Sequence, residues 1–113
     1  MTTQNEHQNS ANAQIIIQTD IAFWNFLVQG SRRTHKVSRV QAFYDLIDRQ
    51  RIALLKGENE NLTGTIQDMA KAWGWDRYTV TRFLDHLEQL GQLTVETAGK
   101  RKSFKLKYSN NER

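Results

Sequence analysis

Apolar side chains recur with a helical period over most of this chain and with an alternating period near its end. Residues 1–14, MTTQNEHQNSANAQ, show neither period. They are too polar to offset the entropy of ordering, which predicts a disordered tail. Ile15, Ile16 and Ile17 predict a short extended segment. Asp20 is placed to cap a helix that carries Ile21, Phe23, Trp24, Phe26, Leu27 and Val28 and is closed by Gly30. That helix is apolar almost all round, so it is expected to be buried on more than one side, against its own domain or against a partner chain. After a polar, basic connection at 31–36, SRRTHK, Val37 and Ser38 open a second helix, with Gln41 completing a capping box. Val40, Phe43, Tyr44 and Ile47 follow the i, i+3, i+4, i+7 spacing of one helix face, and the helix runs on toward Leu54 and Leu55. Residues 57–61, GENEN, read as a loop, and Leu62, Thr63 and Gly64 as a short strand.

The pattern is most informative from Thr65 onward. Thr65 caps a short helix with apolar positions Ile66, Met69, Ala70 and Trp73, ended by Gly74. Asp76 then caps another helix, and Trp75 just before it is placed to close over Val80 as a hydrophobic staple. The core face of this helix is Val80, Phe83, Leu84, Leu87 and Leu90, with Gly91 ending it. Two helices joined by so tight a turn form a helix-turn-helix. At ~100° per residue from Val80, Tyr78, Arg82, Asp85 and Gln89 fall between about 140° and 200°, flanked by Thr81, Thr79 and His86. The second helix therefore carries an outward polar stripe. Past Gly91 the period drops to two: Leu93 and Val95 alternate with Thr94 and Glu96, Ala98 and Gly99 turn, and Phe104, Leu106 and Tyr108 alternate with Lys105 and Lys107. This predicts a hairpin with one buried face. The fold class is mainly α with a small β-hairpin (α+β). Its domain spans 37–108, preceded by an extension at 15–36 and followed by a tail at 109–113.

Charge adds a direction to that pattern. The net charge of the 113 residues is +4. Residues 1–92 hold 10 basic and 10 acidic side chains, whereas 93–113 hold 6 basic and 2 acidic. The surplus falls on the hairpin, with Lys100, Arg101 and Lys102 at its tip and Lys105 and Lys107 on its exposed face. Cysteine is absent, which removes disulfides, thiolate metal sites and a cysteine nucleophile, and a cytoplasmic setting is the default. No apolar run approaches the ~20 residues of a membrane span, and no signal segment stands at the amino terminus. His7, His35 and His86 lack metal-site spacing, and no nucleotide-binding or hydrolase motif is present, so neither cofactor nor enzyme activity is expected.

Helix, short strand, helix-turn-helix and hairpin follow one another in the winged-helix order. Residues 76–93, DRYTVTRFLDHLEQLGQL, resemble the recognition-helix signature of bacterial winged-helix DNA-binding proteins. The longer stretch 38–93 is similar to DnaD-like and phage replisome-organiser amino-terminal domains. Its Ser38-Arg39 start, Ala42-Phe43 and Leu46-Ile47 pairs, Gly64-Thr65-Ile66 and Ala70-x-x-Trp73-Gly74-Trp75-x-Arg77 carry the likeness. The resemblance covers roughly half of the chain. It implies a winged helix-turn-helix with an additional N-terminal apolar helix, contacting double-stranded DNA through Arg77, Thr79, Thr81, Arg82 and the basic wing tip. Tyr78 points outward beside them, and Lys71 is a further candidate for phosphate neutralisation. Asp85 and Glu88 would repel phosphate, which restricts contact to the first two turns. The implied role is in replication or transcription, alongside the proteins of that process, in a phage, plasmid or other mobile element. Self-association through 15–29, with Phe23, Trp24, Phe26 and Leu27, is also expected and would present two recognition helices to a palindromic site. The rival from another class is an interaction module that docks a partner through the same four residues and does not bind DNA. Trp73 and Trp75 are expected in the core.

Overall fold

The computed structural model describes residues 15–29, 37–57, 61–99 and 101–110. Its elements are β1 (Ile15–Ile16), α1 (Ile21–Val28), α2 (Arg39–Lys56), α3 (Ile66–Trp73), α4 (Arg77–Gln89), β2 (Leu93–Ala98), β3 (Arg101–Leu106) and β4 (Ser109–Asn110). Four helices and an antiparallel hairpin make a mixed α/β body, and no helix among the described residues is long and apolar enough to cross a membrane. The expected tail at 1–14, the Gly30 helix end, the connection 31–36, the middle of the 57–61 loop, Lys100 and residues 111–113 lie outside the described residues.

Each helix begins where a side-chain oxygen satisfies one of its unpaired N–H groups. The Asp20 carboxylate accepts from Phe23 N–H at 2.9 Å. Ser38 and Gln41 exchange reciprocal bonds at the start of α2, and Thr65 and Asp68 do the same at α3. The Asp76 carboxylate accepts from Thr79 N–H at 2.7 Å. Between α3 and α4 the chain reverses at Gly74, whose φ of 71° is one that glycine adopts without a Cβ clash. These starts and the α3–α4 turn agree with the sequence reading.

The core joins all the layers. Phe23 and Leu27 of α1, Phe43 and Leu46 of α2, Met69 and Trp73 of α3, Val80, Phe83, Leu84 and Leu87 of α4, and Leu93, Phe104 and Leu106 of the hairpin form one buried cluster. Trp75 belongs to it too, so both tryptophans of the turn are core residues as expected. The hairpin register sets Leu93 opposite Leu106 and Val95 opposite Phe104, placing the apolar side of the alternation inward.

Three details differ from the sequence reading. On α2 the buried face is Ala42, Phe43, Leu46, Gln50 and Ala53, while Val40 and Tyr44 are exposed. At ~100° per residue those five fall within about 100° of arc, and Val40 and Tyr44 lie outside it. The true face contains a glutamine and two alanines, so the bulkier apolar residues marked a neighbouring one. Gln50 belongs there because its Oε1 accepts from Leu106 N–H at 2.8 Å, tying α2 to β3.

Leu90 is 40% exposed, since α4 stops at Gln89 and the chain turns away before Gly91. Leu62, Thr63 and Gly64 form no strand. Leu62 N–H alone reaches the Phe104 carbonyl, at 2.9 Å, and the chain then bends at Gly64. Arg49 occupies the space a Cβ on Gly64 would need and donates to the Thr63 carbonyl at 3.0 Å. The described parts of the extension at 15–36 and the tail at 109–113 pack with the rest of the chain. Phe23 and Leu27 enter the common core, and β1 pairs antiparallel with β4. On α1 Phe23 and Leu27 are buried and Phe26 half-buried, while Ile21 is 74% and Val28 63% exposed.

The Gln50 bridge yields a stability prediction. Gln50→Met keeps the volume but leaves a buried Leu106 N–H without its acceptor, so unfolding free energy should fall by about 1 to 3 kcal/mol. Denaturant titration should show a lower midpoint at unchanged slope; an unshifted midpoint would mean that the bridge contributes nothing.

Candidate nucleic-acid interface

The polar stripe of α4 stands clear of the core, as its helical phase requires. Arg77, Tyr78, Arg82, Asp85 and Gln89 are exposed, and Thr79, Thr81 and His86 are half-buried at its flanks. Val80 and Phe83 on the opposite side are buried, which locks the rotation of the helix and hence the direction of the stripe. Within the stripe Tyr78 and Arg82 are one turn apart, with the guanidinium carbon 5.7 Å from the phenol ring centre. Among the described residues Arg77 and Arg82 form no ion pair; the two ion pairs there are Arg49–Asp45 and Arg51–Asp48. Among the described residues the cations at the front of α4 thus have no ion-pair partner.

Orientation of α4 comes from the aromatic residues around the turn. Trp73, Trp75 and Phe83 meet edge to face, with ring centres 4.9 to 5.9 Å apart. Both indole N–H groups reach α2 or the residues before it: Trp73 donates to Asp45 Oδ2 at 2.7 Å and Trp75 to the Val37 carbonyl at 2.8 Å. Trp75 and Val80 are both buried in this cluster. α4 in turn packs on β2, which joins the stripe and the hairpin in one packed unit.

The hairpin separates the basic residues that the sequence groups at its tip. Ala98 pairs with Arg101 and Thr97 with Lys102, and successive strand residues face opposite sides. Arg101 thus shares the outer face with Lys105, while Lys102 projects, exposed, from the end of the inner one. Lys107 N–H bonds the Gln92 carbonyl at 3.0 Å, which continues the register and adds Lys107 to the outer row. Lys100 lies outside the described residues. Lys71 is exposed in the last turn of α3, where a cation also complements the helix dipole.

Of the four residues assigned to self-association, Phe23 and Leu27 are 1% and 2% exposed and serve this chain's own core. That corrects their assignment as a docking face. Phe26 is half-buried between Arg39 and α4, its ring stacked 5.9 Å from Phe83 and tilted 5.0 Å from His86. Trp24 alone of the four is on the surface, its indole N–H bonded to Thr19.

One residue at this surface has no signal in the sequence pattern. Arg39, the first residue of α2, lays its guanidinium 4.1 Å from the Phe26 ring centre and donates to the Phe26 carbonyl at 2.7 Å. It thereby caps the end of α1, which has no basic residue of its own in its last turn. Burial, and then the charge of Arg82, pull the Arg39 guanidinium below its ordinary pKa. Among the described residues no group of His, Asp and Glu is placed to hold a metal ion. Comparison with protein-family models, curated proteins and solved structures gives no match.

The geometry separates residues that shape α4 from those that decorate it. Asp76→Ala removes the cap and should cost about 0.5 to 2 kcal/mol. Arg82→Ala should change stability by no more than about 0.5 kcal/mol, since the exposed side chain makes no ion pair. Thermal or denaturant unfolding checks both, and a large Arg82 effect would reassign that residue to the fold.

Proposed function

We propose that this chain is a double-stranded DNA-binding protein of winged-helix type, with α4 entering the major groove and the hairpin acting as a wing on the adjoining backbone. The observation that carries this reading is the exposed cationic front of α4, without an ion pair among the described residues, packed against a basic hairpin. Helices that read DNA place their N-terminal residues on base edges and phosphates, and phosphate neutralisation supplies most of the non-specific affinity. Tyr78, Thr79, Thr81 and Arg82 face the groove in this arrangement. Arg77, Lys71, Lys100, Arg101 and Lys102 neutralise phosphate, with Lys105 and Lys107 along the outer row of the wing. Asp85, further along α4, keeps the distal turns off the backbone. No cofactor or catalytic step enters this reading. The likeness of residues 38–93 to replisome-organiser domains supports a role in replication of a phage, plasmid or other mobile element. The recognition-helix signature of 76–93 supports a small transcriptional regulator equally, and the setting is the cytoplasm.

A second reading concerns a second copy of the chain. With Phe23 and Leu27 committed to the core, Ile21, Trp24 and Val28 remain exposed at i, i+3, i+7 spacing on a separate face of α1. A twofold pair joined there would present two α4 helices to a palindromic site.

Two measurements test these readings. In a fluorescence titration on random duplex, affinity should fall steeply with salt, and replacing Lys100, Arg101 and Lys102 together by Ala should flatten the slope by about 2 to 3 units. An unchanged slope would take the wing off the DNA, and no binding at low salt would end the DNA reading. Sedimentation equilibrium at micromolar concentration should give a dimer that dissociates on combined Ile21→Ser and Val28→Ser; a monomeric wild type would end the second reading.

A further inference from the structure

Around the Phe26 ring the structure gathers groups from two helices that the sequence keeps far apart. Arg39 of α2 lies over that ring, and Phe83 and His86 of α4 meet it from the other helix. Arg82 is the neighbour of Phe83 in α4 and belongs to the outward stripe. Neither Arg39 nor Arg82 has a carboxylate partner among the described residues, although Asp85 is only three positions from Arg82. Arg39 therefore sits on the ring cluster that packs against Arg82's helix, close enough for the Arg82 charge to bear on it, at the edge of the surface assigned to DNA.

An arginine fork presents five N–H donors. Arg39 spends one of them on the Phe26 carbonyl and is only partly buried, so donors remain for an oxyanion. Its contact with the α1 carbonyl and the Phe26 face also fixes where the fork points, which reduces the entropy lost on binding. Repulsion between the two cations in the free protein is relieved when an anion enters between them, and the Arg82 charge already bears on Arg39.

We propose that Arg39 and Arg82 together grip one backbone phosphate of the bound duplex, making the start of α2 a third contact element beside α4 and the wing. This rests on the DNA-binding reading and deepens it. It also moves Arg82 from base reading to phosphate binding, leaving Tyr78, Thr79 and Thr81 as the side chains that read bases.

The test uses the full chain and two labelled duplexes of unrelated sequence, titrated across a range of salt, with wild type, Arg39→Gln, Arg82→Gln and the double variant. Each single change should weaken binding by about tenfold or more, by the same factor on both duplexes. Because one phosphate is shared, the double variant should lose far less than the product of the two single losses, and its salt slope should flatten by about 1 unit. Multiplicative losses with a slope change near 2 would mean separate phosphates and would overturn the grip. A folded Arg39→Gln chain that binds like wild type would do the same, and in both cases DNA binding itself would stand. Arg39 also caps α1, so melting of each variant is measured alongside. Should Arg39→Gln prove unfolded, Arg39→Lys takes its place in the cycle: a loss with Arg82→Gln far below the product of the single losses supports the grip, and multiplicative losses, or an Arg82 loss confined to one sequence, overturn it. Wild type that binds neither duplex at low salt removes the reading and the grip together.

Discussion

Two indole N–H groups govern this fold. Trp73 and Trp75 flank the turn between α3 and α4, and both are too bulky to leave in water and too polar at one atom to bury without a partner. Each finds its acceptor at or just before α2, on Asp45 and on the Val37 carbonyl. Since the rings lock against Phe83, the position of α2 dictates the rotation of α4, and with it the direction in which Tyr78, Arg77 and Arg82 face. Asp45 serves twice, because Arg49 Nε donates to the same carboxylate oxygen at 2.8 Å while another Arg49 nitrogen holds the Thr63 carbonyl. One carboxylate therefore links the α3–α4 pair to the segment that leads into it.

The same logic brings α1 into the body. An eight-residue helix is too short to persist alone, so its stability comes from what it touches. Asp20 satisfies one end, Arg39 the other, and Phe23 meets Phe43 edge to face with ring centres 4.9 Å apart. Phe26 extends the contact to α4 through Phe83 and His86. The apolar segment near the amino terminus is thus largely a structural support for the helix whose outer face carries the proposed chemistry.

What the sequence makes legible is what depends on nearby residues. Caps at Asp20, Ser38, Thr65 and Asp76 are settled within three positions, and all four are where the pattern places them. The exposed stripe of α4 is readable for the same reason: once Val80 is inward, geometry fixes Tyr78 and Arg82. The face of α2 was harder, because Gln50 is buried for a bond to Leu106 that lies 56 positions away. Arg39 escapes notice likewise, since its partners Phe26 and Arg82 are remote in sequence. Grouping Arg101 with Lys102 follows charge, whereas the strand register sets them on opposite sides. Pairing of Ile15 with Asn110 and Ile16 with Ser109 leaves almost no local trace, as two-residue strands have no period to detect.

That last pairing bears on the order in which the chain folds. Joining β1 to β4 closes nearly the whole described length into one loop, and a ladder of two residue pairs offsets little of the closure entropy. By contrast α3, the turn, α4 and the hairpin are sequential neighbours whose contacts form over short separations. The body that presents the cationic surface is accordingly able to assemble before the chain ends meet. Opening of the two-pair β1–β4 ladder would leave the contacts between α4 and the hairpin unbroken.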